Sequence, residues 1–113
     1  MKVLIIGSAG YIGAALQMAC ELRGWDVIGW TRKECDLLDP PARFPDVDVV
    51  YICAAMTRFI DCEADPLSYR VNVDGPIAVA KRCMAQPVFL SSEAVERALH
   101  TNYGMQKALA EIY

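Results

Sequence analysis

Apolar residues along this chain fall into four short runs, separated by amphipathic or irregular stretches. Val3-Leu-Ile-Ile6 is apolar at every position, without the alternation of a half-exposed strand, and predicts a parallel strand covered on both faces. Residues 11–23 carry Ile12, Leu16, Ala19 and Leu22 at helical spacing, with Gly24 placed as a C-terminal cap. Asp26-Val-Ile-Gly-Trp30 and Asp48-Val-Val-Tyr-Ile-Cys53 predict two further strands. A long helix is expected from Pro66, with Tyr69, Val73, Ile77, Ala80 and Met84 along one side. Gly75-Pro76 falls inside that pattern and predicts a bend or irregular turn, because Pro76 removes a backbone hydrogen bond. Asn72, one turn earlier, serves either that kink or a nearby backbone group or water. Pro87-Val-Phe-Leu-Ser91 reads as the last strand, with Pro87 tolerable because it opens it. A final helix starts at a Thr101 or Asn102 cap and runs to Tyr113.

Two stretches carry weaker signals. Prolines at positions 40, 41 and 45 leave at most one helical turn between Lys33 and Asp48, and Cys35-Asp36-Leu-Leu-Asp39 is expected as a short strand and loop. Residues 58–65, with Asp61, Glu63 and Asp65, read as a surface connection.

The first strand runs directly into Gly7-Ser-Ala-Gly10-Tyr-Ile-Gly13, three glycines spaced three apart. In a strand–turn–helix unit, Gly7 suits the sharp turn, Gly10 lets a diphosphate approach the main chain, and Gly13 lets the helix sit close to the sheet. The helix start then favours an anion. The alternation of strands and helices predicts an α/β domain of the NAD(P)-binding Rossmann-like type, covering residues 1–113. Its short parallel sheet has the expected order 2-1-4-5, counting residues 35–39 as third. At the end of the second strand stand Thr31 and Arg32, where a carboxylate would hold ribose hydroxyls. An arginine there pairs with a ribose 2′-phosphate and favours NADP over NAD, or else is an ordinary solvated charge. Asp36 either meets an adenine amino group or caps a turn. Ala54 and Ala55, just past a strand end, leave space where a ligand crevice lies.

Composition narrows the field. A formal charge of −3 and an isoelectric point near 5.0 give no reason to expect nucleic acid or an anionic membrane. The 55% hydrophobic content is high for so short a chain, which makes a partner surface plausible. Met1-Lys2 leads straight into the first strand and no apolar run reaches membrane-spanning length, so a cytoplasmic location is expected. Five scattered cysteines and a single histidine predict reduced thiols and no metal site.

Tyr103 and Lys107 lie four apart on the last helix, so the ammonium can lower the pKa of the phenol and equip it to exchange a proton with a substrate oxygen. Ser92, at a strand end, can hydrogen-bond the same oxygen. With these residues the chain resembles the extended short-chain dehydrogenase/reductase family, in its nucleotide-sugar epimerase, dehydratase and 4-keto reductase branch. The matching motifs are the glycine loop, Asp36-Leu-Leu-Asp39, Cys53-Ala-Ala55, Asn72-Val-Asp-Gly75, Leu90-Ser-Ser92 and Tyr103-Gly-Met-Gln-Lys107. The resemblance implies hydride transfer between a nicotinamide and a sugar carbon or another carbonyl or hydroxyl substrate. It makes Ser92 the group that polarises the substrate oxygen, Tyr103 the acid/base, and Lys107 the residue that tunes the tyrosine and binds the nicotinamide ribose. Cofactor contacts are implied at Gly7, Ala9, Gly10, Tyr11, Ile12, Gly13, Thr31, Arg32, Asp36, Leu37, Ala54, Ala55 and Lys107. It also implies a homodimer through the helices at 66–85 and 102–113.

The chain departs from that family in its short Ser92-to-Tyr103 connection and in lacking the second half that grips a nucleotide-sugar. It therefore also reads as a non-catalytic NAD(P)-binding module, or as an inactive fragment of such an enzyme.

Overall fold

The computed structural model describes residues 1–112, the side chain of Phe59 apart; Tyr113, the expected end of the last helix, lies outside the described residues. Strand β1 (Lys2–Ile6) lies between β2 (Asp26–Trp30) and β3 (Val49–Ile52), and β4 (Gln86–Phe89) follows β3. All three pairings are parallel, and Ile6 is level with both Trp30 and Ile52, and Ile52 with Phe89. The carboxyl ends of the strands therefore share one rim. The order β2-β1-β3-β4 is the arrangement expected from sequence, except that residues 35–39 form a turn with one isolated bridge, Asp36 to Asp39, instead of a strand.

Val3, Leu4, Ile5 and Ile6 are all fully buried, as a central parallel strand requires. Alternation sends Leu4 and Ile6 into one cluster with Val50, Ile52, Leu37, Val47 and Val79, while Val3 and Ile5 face the other side. The connection from β2 to β3 contributes to that cluster without a helix. Phe44 packs on Trp30 with ring centroids 5.6 Å apart. The loop carbonyls this leaves unpaired receive side-chain donors: Arg70 Nη2 reaches Leu38 O at 3.1 Å and Arg82 Nη1 reaches Pro40 O at 2.7 Å.

The expected irregularity before Pro76 takes a specific form. Arg70–Asp74 is a π-helical turn leading into α3 (Gly75–Arg82), and the Gly75 N–H bonds Arg70 O, five residues back. Opening that turn accommodates a ring that would otherwise press on the carbonyl four residues earlier. The buried stripe is Asn72, Val73, Pro76, Val79 and Cys83, offset from the expected one, while Tyr69 and Met84 are exposed and Met84 lies beyond the helix. Apolar periodicity missed it because the stripe contains a polar residue, Asn72.

Two short helices, α2 (Phe59–Ala64) and α4 (Ala94–Arg97), occupy stretches that gave no helical signal. The last helix, α5 (Asn102–Ile112), is capped by Thr101, whose Oγ1 accepts the Gly104 N–H at 3.1 Å. Pro87 sits second in β4 rather than first. Gln86 turns its N–H towards Asp48 O, so the next residue faces the open edge, where a missing donor costs nothing.

Helix α1 (Tyr11–Leu22) meets the sheet through Gly13, where an added Cβ would stand 2.0 Å from Gly7 O. Gly24, at φ +77°, has open space around its own missing Cβ. Gly13→Ala should therefore lower stability in urea unfolding by about 3 kcal/mol, from forced overpacking. Gly24→Ala should cost only about 1 kcal/mol, from backbone strain alone.

Candidate functional site

A cleft of about 840 Å³ opens at the shared rim of β1, β2 and β3. Its floor is the glycine turn. Gly7 adopts φ +89°, its N–H bonds Trp30 O at 2.9 Å, and an added Cβ would lie 2.7 Å from Ala54 N. The turn is thus tied to the end of β2 and pressed against the segment after β3. Helix α1 begins beside it with no side-chain cap and no acidic residue in its first turn. The opening N–H groups of a helix lack intrahelical partners, and the dipole adds positive potential there.

Of the residues singled out for cofactor contact, Gly7, Ala9, Gly10, Tyr11, Ile12, Gly13, Thr31, Arg32, Asp36, Leu37, Ala54 and Ala55 all line this cleft. Lys107 does not. Sequence reasoning missed Cys35, Leu38, Cys53, Met56, Thr57, Asp65, Leu67 and Val71, which complete the lining. Most come from loops whose course the local pattern does not encode.

At the β2 end, Arg32 Nε stands 3.6 Å from Asp36 Oδ2, both side chains well exposed. Asp36 also caps its own turn, with Oδ1 accepting the Leu38 N–H at 3.0 Å. The Glu34 carboxylate accepts both the N–H and the hydroxyl of Thr31 at 2.8 Å, which hold its pKa below the usual carboxylate range.

Behind the cleft wall lies a buried polar chain. Asn72, fully buried, grips the Met56 backbone: Oδ1 accepts its N–H at 2.8 Å and Nδ2 donates to its carbonyl at 2.9 Å. The Asn72 amide thus serves a backbone group, one of the two roles its position allowed. Nδ2 also donates to Gln106 Oε1 at 2.8 Å. Gln106 Nε2 donates to Ser68 Oγ at 2.8 Å, and Ser68 in turn donates to Cys62 O at 3.0 Å.

Ser92, Tyr103 and Lys107 lie beyond the β4 end, outside the cleft lining. Ser92 Oγ accepts the Ala94 N–H at 3.2 Å at the start of α4. Tyr103 is 8% exposed and packs with Cys62 and Ala94. Lys107, 4% exposed, donates to Leu90 O at 2.8 Å, and its ammonium lies 4.5 Å from the Phe89 ring centroid and 5.8 Å from that of Tyr103. Helical spacing brings the tyrosine and lysine together; the serine caps its own turn, bonding the Ala94 that packs on Tyr103. Burial holds the Lys107 pKa below the ordinary lysine value, partly opposed by the Cys62 and Cys53 thiols and Glu111. All five cysteines are free thiols, and burial pushes Cys35 up to about 11. Among the described residues no cluster of His, Cys, Asp or Glu could hold a metal, and no helix is long and apolar enough to cross a membrane.

Residues 1–95 match the family model described as the RmlD substrate binding domain. The chain belongs to this family. It is 35% identical over 88 residues to a dTDP-4-dehydrorhamnose reductase of Mycolicibacterium smegmatis, an alignment covering 74% of this chain and 27% of the relative. The Mycobacterium tuberculosis dTDP-4-dehydrorhamnose reductase is 31% identical over 86 residues, covering 73% and 28%. Among solved structures, a dTDP-4-dehydrorhamnose reductase from Clostridium acetobutylicum superposes with TM-score 0.81 at 23% identity, covering 99% of this chain and 48% of that one. The Bacillus anthracis dTDP-4-dehydrorhamnose reductase in complex with NADP gives 0.80 at 21% identity, covering 98% and 48%. A UDP-galactose 4-epimerase gives 0.82 at 23%, covering 99% and 49%. The chain thus spans just over a quarter of the curated relatives and about half of these solved structures, whose likeness establishes the shared fold.

Two outcomes follow for this family member. Asn72→Ala strips the buried Met56 N–H and carbonyl of their partner and should cost about 3 kcal/mol in chemical denaturation. Lys107 has a folded pKa below its unfolded one, so the unfolded chain binds more protons between the two values and stability rises with pH there. The stability of the parent minus that of Lys107→Met should accordingly increase as pH rises towards the ordinary lysine value of 10.5; a flat or falling difference on that approach contradicts the lowered pKa of the buried lysine.

Proposed function

We propose that this chain binds NADP as part of an oxidoreductase of the extended short-chain dehydrogenase/reductase type, acting on a nucleotide-sugar or another carbonyl or hydroxyl compound. The observation that carries this reading is the cleft over the glycine turn. Gly10 presents an open face, its missing Cβ meeting only Gly7 O at 3.4 Å, and the uncapped start of α1 offers donors to a diphosphate. Leu37, Leu38 and Val71 supply an apolar wall suited to an adenine, and Asp36 stands beside them. Arg32, exposed at the rim, is the cation for a ribose 2′-phosphate. These features fit a dinucleotide, and the relatives' names support nucleotide-sugar chemistry.

When bound, the nicotinamide supplies or accepts the hydride. Tyr103 gives or takes the proton at the substrate oxygen, with the Lys107 ammonium 5.8 Å from its ring centroid. Lys107 spends one proton on Leu90 O and keeps two for the nicotinamide ribose and the tyrosine. Ser92 accepts from Ala94 and so retains its own hydroxyl proton for the substrate oxygen. The working form in this reading is a cytoplasmic homodimer through the helices at 66–85 and 102–113, where Met105 and Ile112 are exposed.

A second reading is a non-catalytic NAD(P)-binding module. It is favoured by one observation, that Ser92, Tyr103 and Lys107 do not line the cleft. Tyr103→Phe separates the two: reduction of a carbonyl substrate should fall at least a hundredfold on the first reading, whereas binding is untouched on both.

Titration calorimetry tests the cofactor directly. NADPH should bind more tightly than NADH, and Arg32→Ala should weaken NADPH about tenfold, a loss of about 1.4 kcal/mol, while leaving NADH unchanged. Equal loss for both cofactors would remove Arg32 from the 2′-phosphate site.

A further inference from the structure

We infer that Gln106 is a positioning residue, setting the register of α5 against the wall of the cofactor cleft so that the nicotinamide end of the cofactor meets Lys107. This rests on the cofactor reading above and extends it to a residue that neither lines the cleft nor carries the chemistry.

The argument starts from hydrogen-bond direction. The Met56 N–H can only donate, so the Asn72 atom facing it at 2.8 Å must be the oxygen. That turns the Asn72 nitrogen towards the Met56 carbonyl and towards Gln106, whose facing atom must then accept. The Gln106 nitrogen is thereby aimed at Ser68 Oγ, and the Ser68 proton goes to Cys62 O. One backbone amide at the cleft wall thus orients four links in succession. Gln106 is 4% exposed, and among the described residues no buried side-chain polar atom lacks a partner. A buried chain of this kind tolerates one arrangement and penalises any slip of the helix, because each displaced amide is left without its partner.

The two ends of the chain give that fixity its consequence. Met56 lines the cleft, whereas Gln106 stands next to Lys107 and three residues after Tyr103 on α5. Helix α5 has other polar ties, Asn102 to Glu63 and Cys62, Lys107 to Leu90 and Glu111 to Ser91; of these only the Cys62 tie continues to the cleft, through a thiol contact of 3.2 Å to Met56 O that is weaker than the amide clamp of Asn72. The route through Gln106 and Asn72 leads directly to a cleft-lining residue. A side chain of similar length with no amide, methionine, keeps the packing and removes the link.

The test uses two ligands that differ in reach. The probe 2′,5′-ADP occupies only the adenosine end, near Arg32, Asp36 and Leu37, while NADPH also needs the nicotinamide end. In Gln106→Met, the dissociation constant for NADPH should rise about tenfold, with that for 2′,5′-ADP unchanged within twofold. Ser68→Ala, which cuts the chain on the far side of Gln106, should leave both constants unchanged even where thermal stability falls. Gln106→Glu, which keeps an acceptor towards Asn72, should retain NADPH binding within threefold, and it decides the matter should the methionine variant fail to bind 2′,5′-ADP and so prove unfolded. Equal weakening of both ligands in a folded Gln106→Met, or no change in either, overturns the positioning role. NADPH binding lost in Gln106→Glu while 2′,5′-ADP still binds does so too. If the parent binds neither ligand, the cofactor reading itself falls and takes this inference with it; if it binds both and the variants behave alike, only the inference falls.

Discussion

The contact on which this structure depends is the approach of Gly13 to the carbonyl of Gly7. No side chain fits between them, since a Cβ at Gly13 would stand 2.0 Å from that oxygen. The contact sets where α1 begins relative to the end of β1. Because the Gly7 and Ser8 N–H groups also bond Trp30 O, the same turn fixes the end of β2. Ala54, after β3, packs against Gly7 from the other side. Three strand ends and one helix start are thus locked to a few backbone atoms, and the cleft is the space those atoms leave.

A second constraint operates deeper in the fold. Pro76 cannot donate to the carbonyl four residues earlier, and the helix answers with a π-helical turn over Arg70–Asp74. Within that turn Asn72 faces inwards and holds Met56 through both its backbone groups. A residue hostile to helices and a polar residue in an apolar stripe, each unfavourable alone, together supply the clamp that shapes the cleft wall.

The elements governed by local pattern were legible in the sequence. The uniform run of β1, the glycine spacing, the turn before α1 and the parallel order of the strands follow from which residues tolerate burial on two faces and which tolerate a tight turn. Tyr103 and Lys107 share a helix face because they are four apart. Other features depend on distant partners. Residues 35–41 gain their place from Arg70 and Arg82 rather than from strand pairing. Helices α2 and α4 are too short to show a period. The Gln106 and Ser68 amide–hydroxyl pair joins residues 38 positions apart, which no local spacing encodes. Only the polar Asn72 beside Gly75-Pro76 gave a visible hint of that network.

The central claim, that the glycine turn and the start of α1 hold the diphosphate of NADP, is tested most directly by following backbone amide resonances of the labelled protein as NADP is added. The account predicts saturable shifts at Gly10, Tyr11, Ile12 and Gly13, accompanied by Thr31 and Arg32, with Gly24 at the far end of α1 unmoved. Binding that leaves the first turn of α1 unperturbed, or no shift at any of these amides at millimolar ligand, would contradict it.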